Sequence, residues 1–218
     1  MHSTDPQGDT PLPVEALGAP AEATALPESG PEAEPEAVPV PEPELGPRRA
    51  TVRFMLGHPA RWIALGFGSG LSPKAPGTVG TLWAWLSFLL LRPVLSDPQW
   101  LLLILGGTLV GWWACTRTAQ QLRIADPGAV VWDEIVAFWL VLWLWMPVGL
   151  LGQAAAFGLF RLFDATKPGP VGWADRRYKL RPGEAIGWRQ GWGILFDDFV
   201  AAGCTLLVLA LWRAAMGA

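Results

Sequence analysis

The chain has few of the side chains on which many metal and acid–base enzymes rely. Among its 218 residues there are only two histidines and two cysteines. His2 and His58 stand far apart and cannot supply a phosphohistidine mechanism, which needs a histidine beside arginine and serine. Cys115 and Cys204 lie in apolar runs, where a thiol is usually a small buried hydrophobe. Zinc chemistry is therefore not expected, and any metal has to be held by oxygen ligands.

Residues 1–47 lack lysine and arginine altogether. They hold ten of the nineteen acidic residues, in a background of proline, alanine and glutamate. Low hydrophobicity with one sign of charge cannot offset the entropy of ordering, so we expect a disordered acidic tail. It has no basic start and apolar core, which argues against a signal peptide. We interpret it as a spacer in preference to a partner-binding tail.

Residues 48–218 form the predicted second domain, a membrane-embedded one. They carry sixteen basic and nine acidic residues, so this domain is basic although the whole chain has a net charge of −3. Charges are too few for a soluble domain of this length, and the apolar residues gather in five runs, at 79–95, 100–116, 130–150, 151–163 and 199–212. The first run has about 17 residues, or about 25 Å of helix, just enough to span a bilayer.

These runs predict an all-α fold, a polytopic membrane bundle of about five hydrophobic helices. Pro147 and Gly149 should separate the third helix from the fourth, which is short and is either a span or a re-entrant segment. The segment 54–67 is too mixed in polarity to span, and we interpret it as an interfacial helix, with a buried packing segment as the alternative. If all five runs cross, one side keeps only Arg92 and Arg213. The positive-inside rule then places the other side, with the N-terminal tail, in the cytoplasm.

Acidic residues gather where these runs meet the basic side. They lie at the start of the third run, the end of the fourth and the start of the fifth: Asp133, Glu134, Asp164, Asp197 and Asp198. Ionisable groups at membrane depth are costly and mark functional sites by default. Because hard oxygen ligands without histidine or cysteine suit Mg²⁺, we predict a magnesium site held by Asp133, Glu134, Asp197 and Asp198.

Basic and hydroxyl groups near these acids suit a phosphate. Residues 66–81, GFGSGLSPKAPGTVGT, hold five glycines whose N–H groups can converge on an anion. Ser72, Lys74 and Thr78 in this stretch are candidate substrate-binding residues. The stretch is not a Walker sequence, and by itself it would more often be a plain turn.

The acidic end of the fourth run supplies the predicted catalytic residues. Arg161 stands three residues before Asp164, so the two share a helix face and can pair. The stretch 164–175 brings Lys167 within reach of Asp164, and its two prolines should stop the helix. We expect Arg161 and Lys167, with Lys74, to neutralise phosphate charge. Asp164 would be a metal ligand or a base, and Arg176 is a peripheral substrate-binding candidate. Water is the favoured nucleophile, and a phospho-aspartate stays open.

Four segments together carry a resemblance to a known family. GFGSGLSPKAPGTVGT, WDEIVAF, FRLFDATKPGPVGWADRR and GWGILFDDFVAAG occur in that order, and the region 54–213 resembles the phosphatidylglycerophosphatase A family, integral membrane lipid phosphatases of bacteria. The resemblance implies magnesium-dependent conversion of phosphatidylglycerophosphate to phosphatidylglycerol and phosphate by a multi-pass protein of the inner membrane. It also places the family's acidic pairs at Asp133 with Glu134 and at Asp197 with Asp198.

The chain departs from the family's pattern in two places. Ala137 stands where the family commonly has glycine, a mild packing change, and residues 178–190 look like extra loop that could alter lipid access. The acidic tail lies outside the resemblance. Asp164 and Lys167 fall in the family's third motif.

Two other functions compete with a lipid phosphatase. A membrane transporter could use buried carboxylates as a cation or proton relay, but its polar groups should continue past the membrane midplane. A CDP-alcohol-type phospholipid transferase also uses aspartates and Mg²⁺, typically along one helix, whereas here they come from three. No nucleic-acid partner is expected. A homo-oligomer, the number of metal ions and the strictness for phosphatidylglycerophosphate stay open.

Overall fold

The computed structural model describes residues 46–217. This part of the chain contains eight α-helices, one 3-10 segment and no strand. The helices are α1 (Val52–Leu56), α2 (Pro59–Ala64), α3 (Pro76–Leu91), α4 (Asp97–Leu122), α5 (Trp132–Trp145), α6 (Leu150–Thr166), α7 (Gly169–Arg177) and α8 (Trp188–Ala215), and the 3-10 segment is Gly66–Leu71. The prediction of an all-helical fold is confirmed for these residues. The expected acidic tail, 1–47, falls almost entirely outside them and stays a prediction.

Two helices of the described region are long and apolar enough to cross a membrane. They are α4, with 26 residues, and α8, with 28, or about 39 Å and about 42 Å of helix. The helices α3, α5 and α6 have 16, 14 and 17 residues, so each is shorter than a hydrocarbon core of about 30 Å. All five apolar runs therefore contain a helix, while the crossing of the membrane by all five stays a prediction.

The predicted break between the third and fourth runs is confirmed. Helix α5 ends at Trp145 and α6 begins at Leu150. Pro147 has no N–H to continue the α5 ladder, and Gly149 is the extended N-cap residue of α6. The turn is closed by the indole of Trp145, which donates to the carbonyl of Gly152 at 3.3 Å. The fourth helix is also longer than its apolar run, because it continues to Thr166.

The segment 54–67 is not the single interfacial helix that its composition suggested. It contains the end of α1 and all of α2, separated at Gly57 and His58. Pro59 starts α2 at a position where its missing N–H is no loss, and His58 caps the helix by accepting from the amide of Ala60 at 3.1 Å. Helix α2 is only partly packed against the rest of the protein. Ala60 and Ala64 are fully buried, whereas Trp62 stays 39% exposed.

Two stretches interpreted as loops are partly helical. The glycine-rich stretch is helical from Pro76 onward, where α3 begins, so Thr78 lies in a helix. After Lys167, which ends α6 in the left-handed region with φ 46°, Pro168 becomes the N-cap residue of α7. Prolines stop one helix here and start another, because proline is tolerated in the first turn.

Helix α8 is the central element of the bundle. It packs against α4, α5, α6 and α7, while α3 packs against α5. Ala201 and Ala202 on α8 are fully buried, as their small size suggested. Gly203, expected to be part of the same close approach, is instead exposed. Helix α8 begins at Trp188, so Asp197 and Asp198 lie more than two turns inside the helix and not at its start.

Contacts between helix ends show that α4 runs antiparallel to α8. The side chains of Trp112 and Gln120, in the second half of α4, donate to the carbonyls of Trp188 and Ile186 at 2.7 Å and 2.9 Å. At the opposite end, the guanidinium of Arg213 lies 4.6 Å from the ring centroid of Trp145. The C-terminus of α4 and the N-terminus of α8 therefore share one end of the bundle. We call it the basic end, because it corresponds to the basic side predicted from the sequence.

Candidate functional site

Three carboxylates from two helices meet near the basic end. Asp133 and Glu134 stand in the first turn of α5, and Asp198 comes from the central helix α8. One carboxylate oxygen of each lies within 4.8 Å of the others. Glu134 is 9% exposed and Asp198 is 2% exposed. We call these three residues the carboxylate cluster.

The start of α5 explains why two of these acids are tolerated here. Negative charge is favoured near a helix N-terminus because the first N–H groups carry partial positive charge. The N-cap residue, Val131, offers no side-chain acceptor to that turn, and its own amide donates to the carbonyl of Ala64 at 2.9 Å, which fixes the start of α5 against α2. Asp133 and Glu134 thus supply the only acidic side chains of the first turn.

Glycine at position 77 lets α3 approach the cluster closely. A Cβ atom built on Gly77 would lie 2.2 Å from Oε1 of Glu134 and 3.0 Å from a guanidinium nitrogen of Arg161. Any side chain at this position would therefore displace the Glu134 carboxylate. The N-terminus of α3 is thus positioned directly beside the Glu134–Arg161 contact.

The cluster has the chemistry of a divalent cation site. Each carboxylate keeps one buried oxygen with no hydrogen-bond partner in the described region: Asp133 Oδ1, Glu134 Oε2 and Asp198 Oδ2. Buried carboxylates are normally paired, because an unpaired one costs several kcal/mol. Three carboxylates gathered within 4.8 Å, each with a buried oxygen to spare, fit a cation. An oxygen-only donor set fits Mg²⁺ or Ca²⁺ better than zinc.

Arg161 and Asp164, one turn apart on α6, border the cluster. Nη1 of Arg161 contacts Oδ2 of Asp164 and lies 3.6 Å from Oε1 of Glu134. The pairing of Arg161 with Asp164, predicted from their spacing, is therefore present. The Nε atom of Arg161 is buried without a partner in the described region, and Asp164 interacts electrostatically with Asp198. Arg161 thus keeps donor capacity beside the three carboxylates.

Lys167 forms a second group of charges on the other side of α8. Its Nζ donates to Oδ1 of Asp175 and to Oδ2 of Asp197, both at 2.6 Å, and Lys179 binds the second oxygen of Asp175 at 2.8 Å. We call Lys167, Asp175 and Asp197 the Lys167 network. Lys167 had been expected near Asp164, but the turn after α6 directs it to α7 and α8.

Ionisation in the Lys167 network is fixed by its hydrogen bonds. Burial alone would lower the pKa of Lys167, but the hydrogen bonds to Asp175 and Asp197 outweigh it and raise the pKa. For Asp175, partial burial acts to raise the pKa, and the hydrogen bonds from Lys167 and Lys179 lower it overall. Both groups are therefore charged at neutral pH.

The two adjacent aspartates of α8 thus serve different groups. Successive residues on a helix point about 100° apart, so Asp198 faces the carboxylate cluster while Asp197 faces Lys167. The prediction that Asp197 also holds metal stays a prediction, since its Oδ2 is bound by Lys167. Asp197 also lines a cavity of about 330 Å³, together with Asp126, Asp175, Tyr178 and Gln190.

The candidate substrate-binding residues are distributed over two places. Thr78 lies half-buried in the first turn of α3, next to Gly77. Ser72 and Lys74 precede that helix. The Ser72 hydroxyl donates to the carbonyl of Lys74 at 2.8 Å, and the Lys74 side chain is exposed. Arg176 lies apart from them, exposed on α7 in a pocket that includes Arg177 and Arg181.

Two residues of this region carried no sequence signal of their own. Asp175 was only the end of a presumed loop, and Gly77 was one glycine among five. The helix α7, which brings Asp175 back to Lys167, begins between Pro168 and Pro170 and was not predicted. The close approach of Gly77 to Glu134 depends on how α3 packs against α5, which no local pattern reveals.

Comparison with known proteins finds relatives of one family. The profile of the family described as Phosphatidylglycerophosphatase A matches residues 62–213. The chain is 35% identical over 159 residues to phosphatidylglycerophosphatase A of Escherichia coli, covering 70% of this chain and 82% of that protein. It is 33% identical to the Haemophilus influenzae protein of the same name over 159 residues, covering 70% and 87%.

A further relative has a different name. A Bacteroides thetaiotaomicron protein, provisionally named phosphatidylinositol-3-phosphatase, is 33% identical over 168 residues, which cover 71% of this chain and 94% of that protein. No solved structure matches the chain. The profile match covers more than half of the chain and includes all four segments singled out in the sequence. The chain therefore belongs to the phosphatidylglycerophosphatase A family.

Proposed function

We propose that this chain is a magnesium-dependent phospholipid phosphatase that converts phosphatidylglycerophosphate to phosphatidylglycerol and phosphate at the cytoplasmic face of the membrane. The observation that carries this proposal is the carboxylate cluster, in which one oxygen of each residue lies within 4.8 Å of the others and each carboxylate has a buried oxygen without a partner in the described region. Family membership supports hydrolysis over transport or phospho-alcohol transfer.

Asp133, Glu134 and Asp198 would hold the metal. Bound Mg²⁺ supplies charge neutralisation for phosphate oxygens and lowers the pKa of a bound water. The protein contributes the rigidity of the site, because α5 and α8 pack directly on each other and fix the carboxylates. Asp197 is proposed to keep Lys167 in place, and the Asp197→Asn variant distinguishes this role from that of a further metal ligand.

Arg161 and the N-terminus of α3 would bind the phosphate. Arg161 has a buried Nε with no partner in the described region. The amide groups of Gly77 and Thr78 start a 16-residue helix that has no side-chain cap, and free N–H groups at such a position favour anions. Lys74 and Ser72, just before this helix, would contact the outer part of the head group.

Asp164 is the proposed base. It lies beside Asp198 and is held by Arg161, so it could accept a proton from an attacking water next to the bound phosphate. Lys167 is assigned a positioning role, because its two hydrogen bonds tie α6 to α7 and α8. Phosphate charge would then be neutralised mainly by Arg161.

The same proposal includes the membrane arrangement. Residues 48–218 would form the membrane-embedded domain, with α3, α4, α5, α6 and α8 as the five hydrophobic helices. The basic end would face the cytoplasm, in accordance with the positive-inside rule, and the acidic tail would lie on that side. The site near this end would meet a lipid whose head group stays at the interface while its acyl chains stay in the bilayer.

A second substrate class is favoured by one relative. The Bacteroides protein carries the name of a phosphoinositide phosphatase, so a phosphate monoester on an inositol lipid is the alternative substrate. Both substrates present a phosphate monoester beside a polyol, and the carboxylate cluster does not distinguish them.

Phosphate release from purified protein in detergent tests the proposal. Phosphatidylglycerophosphate, phosphatidylinositol 3-phosphate and phosphatidic acid are compared, each with Mg²⁺ and with a chelator. We expect release from the first lipid, at least about 10-fold faster than from the others, and its loss on chelation. Asp133→Asn should abolish release, whereas Asp97→Asn, an exposed acid at the opposite end of the bundle, should not.

Thermal unfolding gives a second readout that does not require turnover. At a Mg²⁺ concentration about 100 times the Kd, binding to the folded state alone adds about 2.7 kcal/mol, so Mg²⁺ should raise the Tm of the wild type and not of Asp133→Asn. Release that survives chelation, or faster release from the inositol lipid, would contradict the proposal.

A further inference from the structure

The loop after α7 forms a basic pocket of about 440 Å³ that is separate from the carboxylate cluster. It is lined by four basic and three apolar residues: Arg176, Arg177, Lys179, Arg181, Trp173, Leu180 and Pro182. Arginine is well suited to phosphate because its planar guanidinium can donate two parallel hydrogen bonds. None of the three cluster carboxylates lines this pocket.

The arginines of the pocket are not neutralised by neighbouring acids. Asp175 is bound by Lys167 and Lys179, and Glu184 is bound by Arg189 at 2.5 Å. Within the described region, no acid lies within ion-pair distance of Arg176, Arg177 or Arg181, the remaining charged residues of the pocket. The pocket therefore keeps a net positive charge of at least three.

Arg189 holds this loop in one shape. Its Nη2 donates to the carbonyl of Lys179 at 3.0 Å, and its Nη1 donates to the carbonyl of Arg177 at 3.4 Å. Glu184, in turn, accepts from the amide of Arg181 at 3.1 Å. The hydrogen bond from Arg189 lowers the pKa of Glu184 to about 2, so this clamp persists at any physiological pH. The arginine side chains are thus carried by an ordered backbone.

The apolar residues of the pocket indicate a lipid rather than a soluble anion. Trp173 is 55% exposed and Leu180 is 38% exposed, which is unfavourable in water alone. Tryptophan beside clustered arginine is typical of surfaces at head-group depth. The pocket also lies at the basic end, on α7 and the loop that leads into α8.

We propose that this basic pocket binds the phosphodiester head group of an anionic phospholipid that is not hydrolysed. The arginines would contact the phosphate, and Trp173 and Leu180 would contact the glycerol backbone and upper acyl chains. A zwitterionic lipid would bind less well, because it has no net negative charge to offset the three unpaired guanidinium groups.

Lipid binding to the full chain in neutral detergent, followed by native mass spectrometry, tests this site. Phosphatidylserine is the probe, because it is anionic and has no phosphate monoester, and a chelator is present throughout. Near a membrane surface each basic residue contributes roughly 5-fold in affinity. We therefore expect the triple variant R176Q/R177Q/R181Q to bind about 100-fold more weakly than the wild type.

A matched control removes the same charge elsewhere. Arg48, Arg49 and Arg53 are also exposed, so R48Q/R49Q/R53Q should change affinity by less than about 5-fold. R176K/R177K/R181K keeps the charge and should retain most of the binding, which separates loss of charge from loss of the loop's shape. Equal losses in the two glutamine variants would overturn the pocket in favour of a diffuse surface charge.

Two competitors distinguish the source of the phosphate. Phosphatidylcholine should bind far more weakly than phosphatidylserine, and inorganic phosphate at the same concentration should not displace the lipid. If phosphatidylcholine binds equally well, the requirement for an anionic lipid is wrong. If inorganic phosphate displaces the lipid, the pocket is a site for free phosphate and the lipid assignment is overturned.

Discussion

The two charged groups on either side of α8 differ in how completely their charges are matched. The Lys167 network is satisfied: Lys167 donates at 2.6 Å to both Asp175 and Asp197. The carboxylate cluster is not, since three of its buried oxygens lack partners in the described region. Asp197 and Asp198 are adjacent on one helix and belong to different groups. Asp197 belongs to the Lys167 network, whose charges are paired, and Asp198 belongs to the carboxylate cluster, whose charges are not. Incomplete matching of buried charge is what indicates where a cation would bind.

Replacing each of the two aspartates separately should give the largest contrast. Asp198→Asn removes a carboxylate from the cluster, and we expect phosphate release to fall about 1000-fold, or about 4 kcal/mol. Without metal, the variant should be as stable as the wild type or more stable, because mutual repulsion among carboxylates is relieved. Asp197→Asn should lower Tm, because Lys167 loses a partner, and should reduce phosphate release only about 10-fold. Phosphate-release assays and thermal unfolding of both variants measure these differences in activity and stability.

The comparison would be wrong if the two variants behaved alike. Equal 1000-fold losses, each with a lost response of Tm to Mg²⁺, would make Asp197 a metal ligand, as its sequence position suggested. A lower Tm for Asp198→Asn in the absence of metal would mean that its carboxylate already has a stabilising partner.

Replacing Lys167 should disrupt the Lys167 network. Lys167→Met keeps the aliphatic part of the side chain but leaves Asp175 and Asp197 without their shared cation. We expect unfolding to become easier by about 2 kcal/mol, less than for a fully buried pair because the Lys167 side chain is 30% exposed. Lys167→Arg is the matched control and should recover more than half of the loss. An unchanged Tm for Lys167→Met would contradict the structural role.

The pH dependence of that loss has a defined sign. Hydrogen bonds hold the pKa of Asp175 below its usual 3.8, so the contribution of the pair is present above pH 3.8 and is lost as the pH falls through the lowered pKa. The pKa of Lys167 is raised above its usual 10.5, so its contribution is complete below that pH. The penalty of Lys167→Met should therefore shrink on acidification, as the unpaired carboxylates take up protons, and should not shrink on going to pH 9.

The same contrast separates what the sequence could predict from what it could not. The acids were predictable, because charges in apolar runs are conspicuous, and so was the pairing of Arg161 with Asp164, which follows from helix spacing. The division of Asp197 from Asp198 was not predicted, although adjacent helical residues point apart, since both had been predicted to hold metal. It depends on α7, a nine-residue helix that begins between two prolines and brings Asp175 to Lys167.

That the apolar runs are helical was predictable for a similar reason, whereas the bounds of the helices were not. Apolar runs mark the part of a helix in contact with lipid or core, whereas the polar continuation of a helix carries no such signal. Helix α8 extends 11 residues before Phe199, through Trp188, and these residues contain both aspartates. The site therefore lies on a rigid helix, where a helix end had been expected.

The smallest expected effect is that of replacing Gly77, which lets α3 approach the carboxylate cluster closely. Gly77→Ala would place a methyl group 2.2 Å from Oε1 of Glu134. That oxygen ends a flexible side chain, so the carboxylate can move aside and stability should change by less than about 1 kcal/mol. Because the carboxylate would leave its place in the cluster, phosphate release should fall about 10-fold or more.

A second glycine of the same helix provides the control. A Cβ on Gly80 would lie 2.7 Å from Cβ of Val131, which belongs to the backbone turn before α5 and cannot rotate away. Gly80→Ala should therefore lower Tm clearly, by contrast with Gly77→Ala, because a stiff contact must be relieved by shifting a helix. If Gly77→Ala lost as much stability as Gly80→Ala, Glu134 would be held as rigidly as the core around it. Its free oxygen would then be a tolerated defect of packing and not a position kept open for a metal.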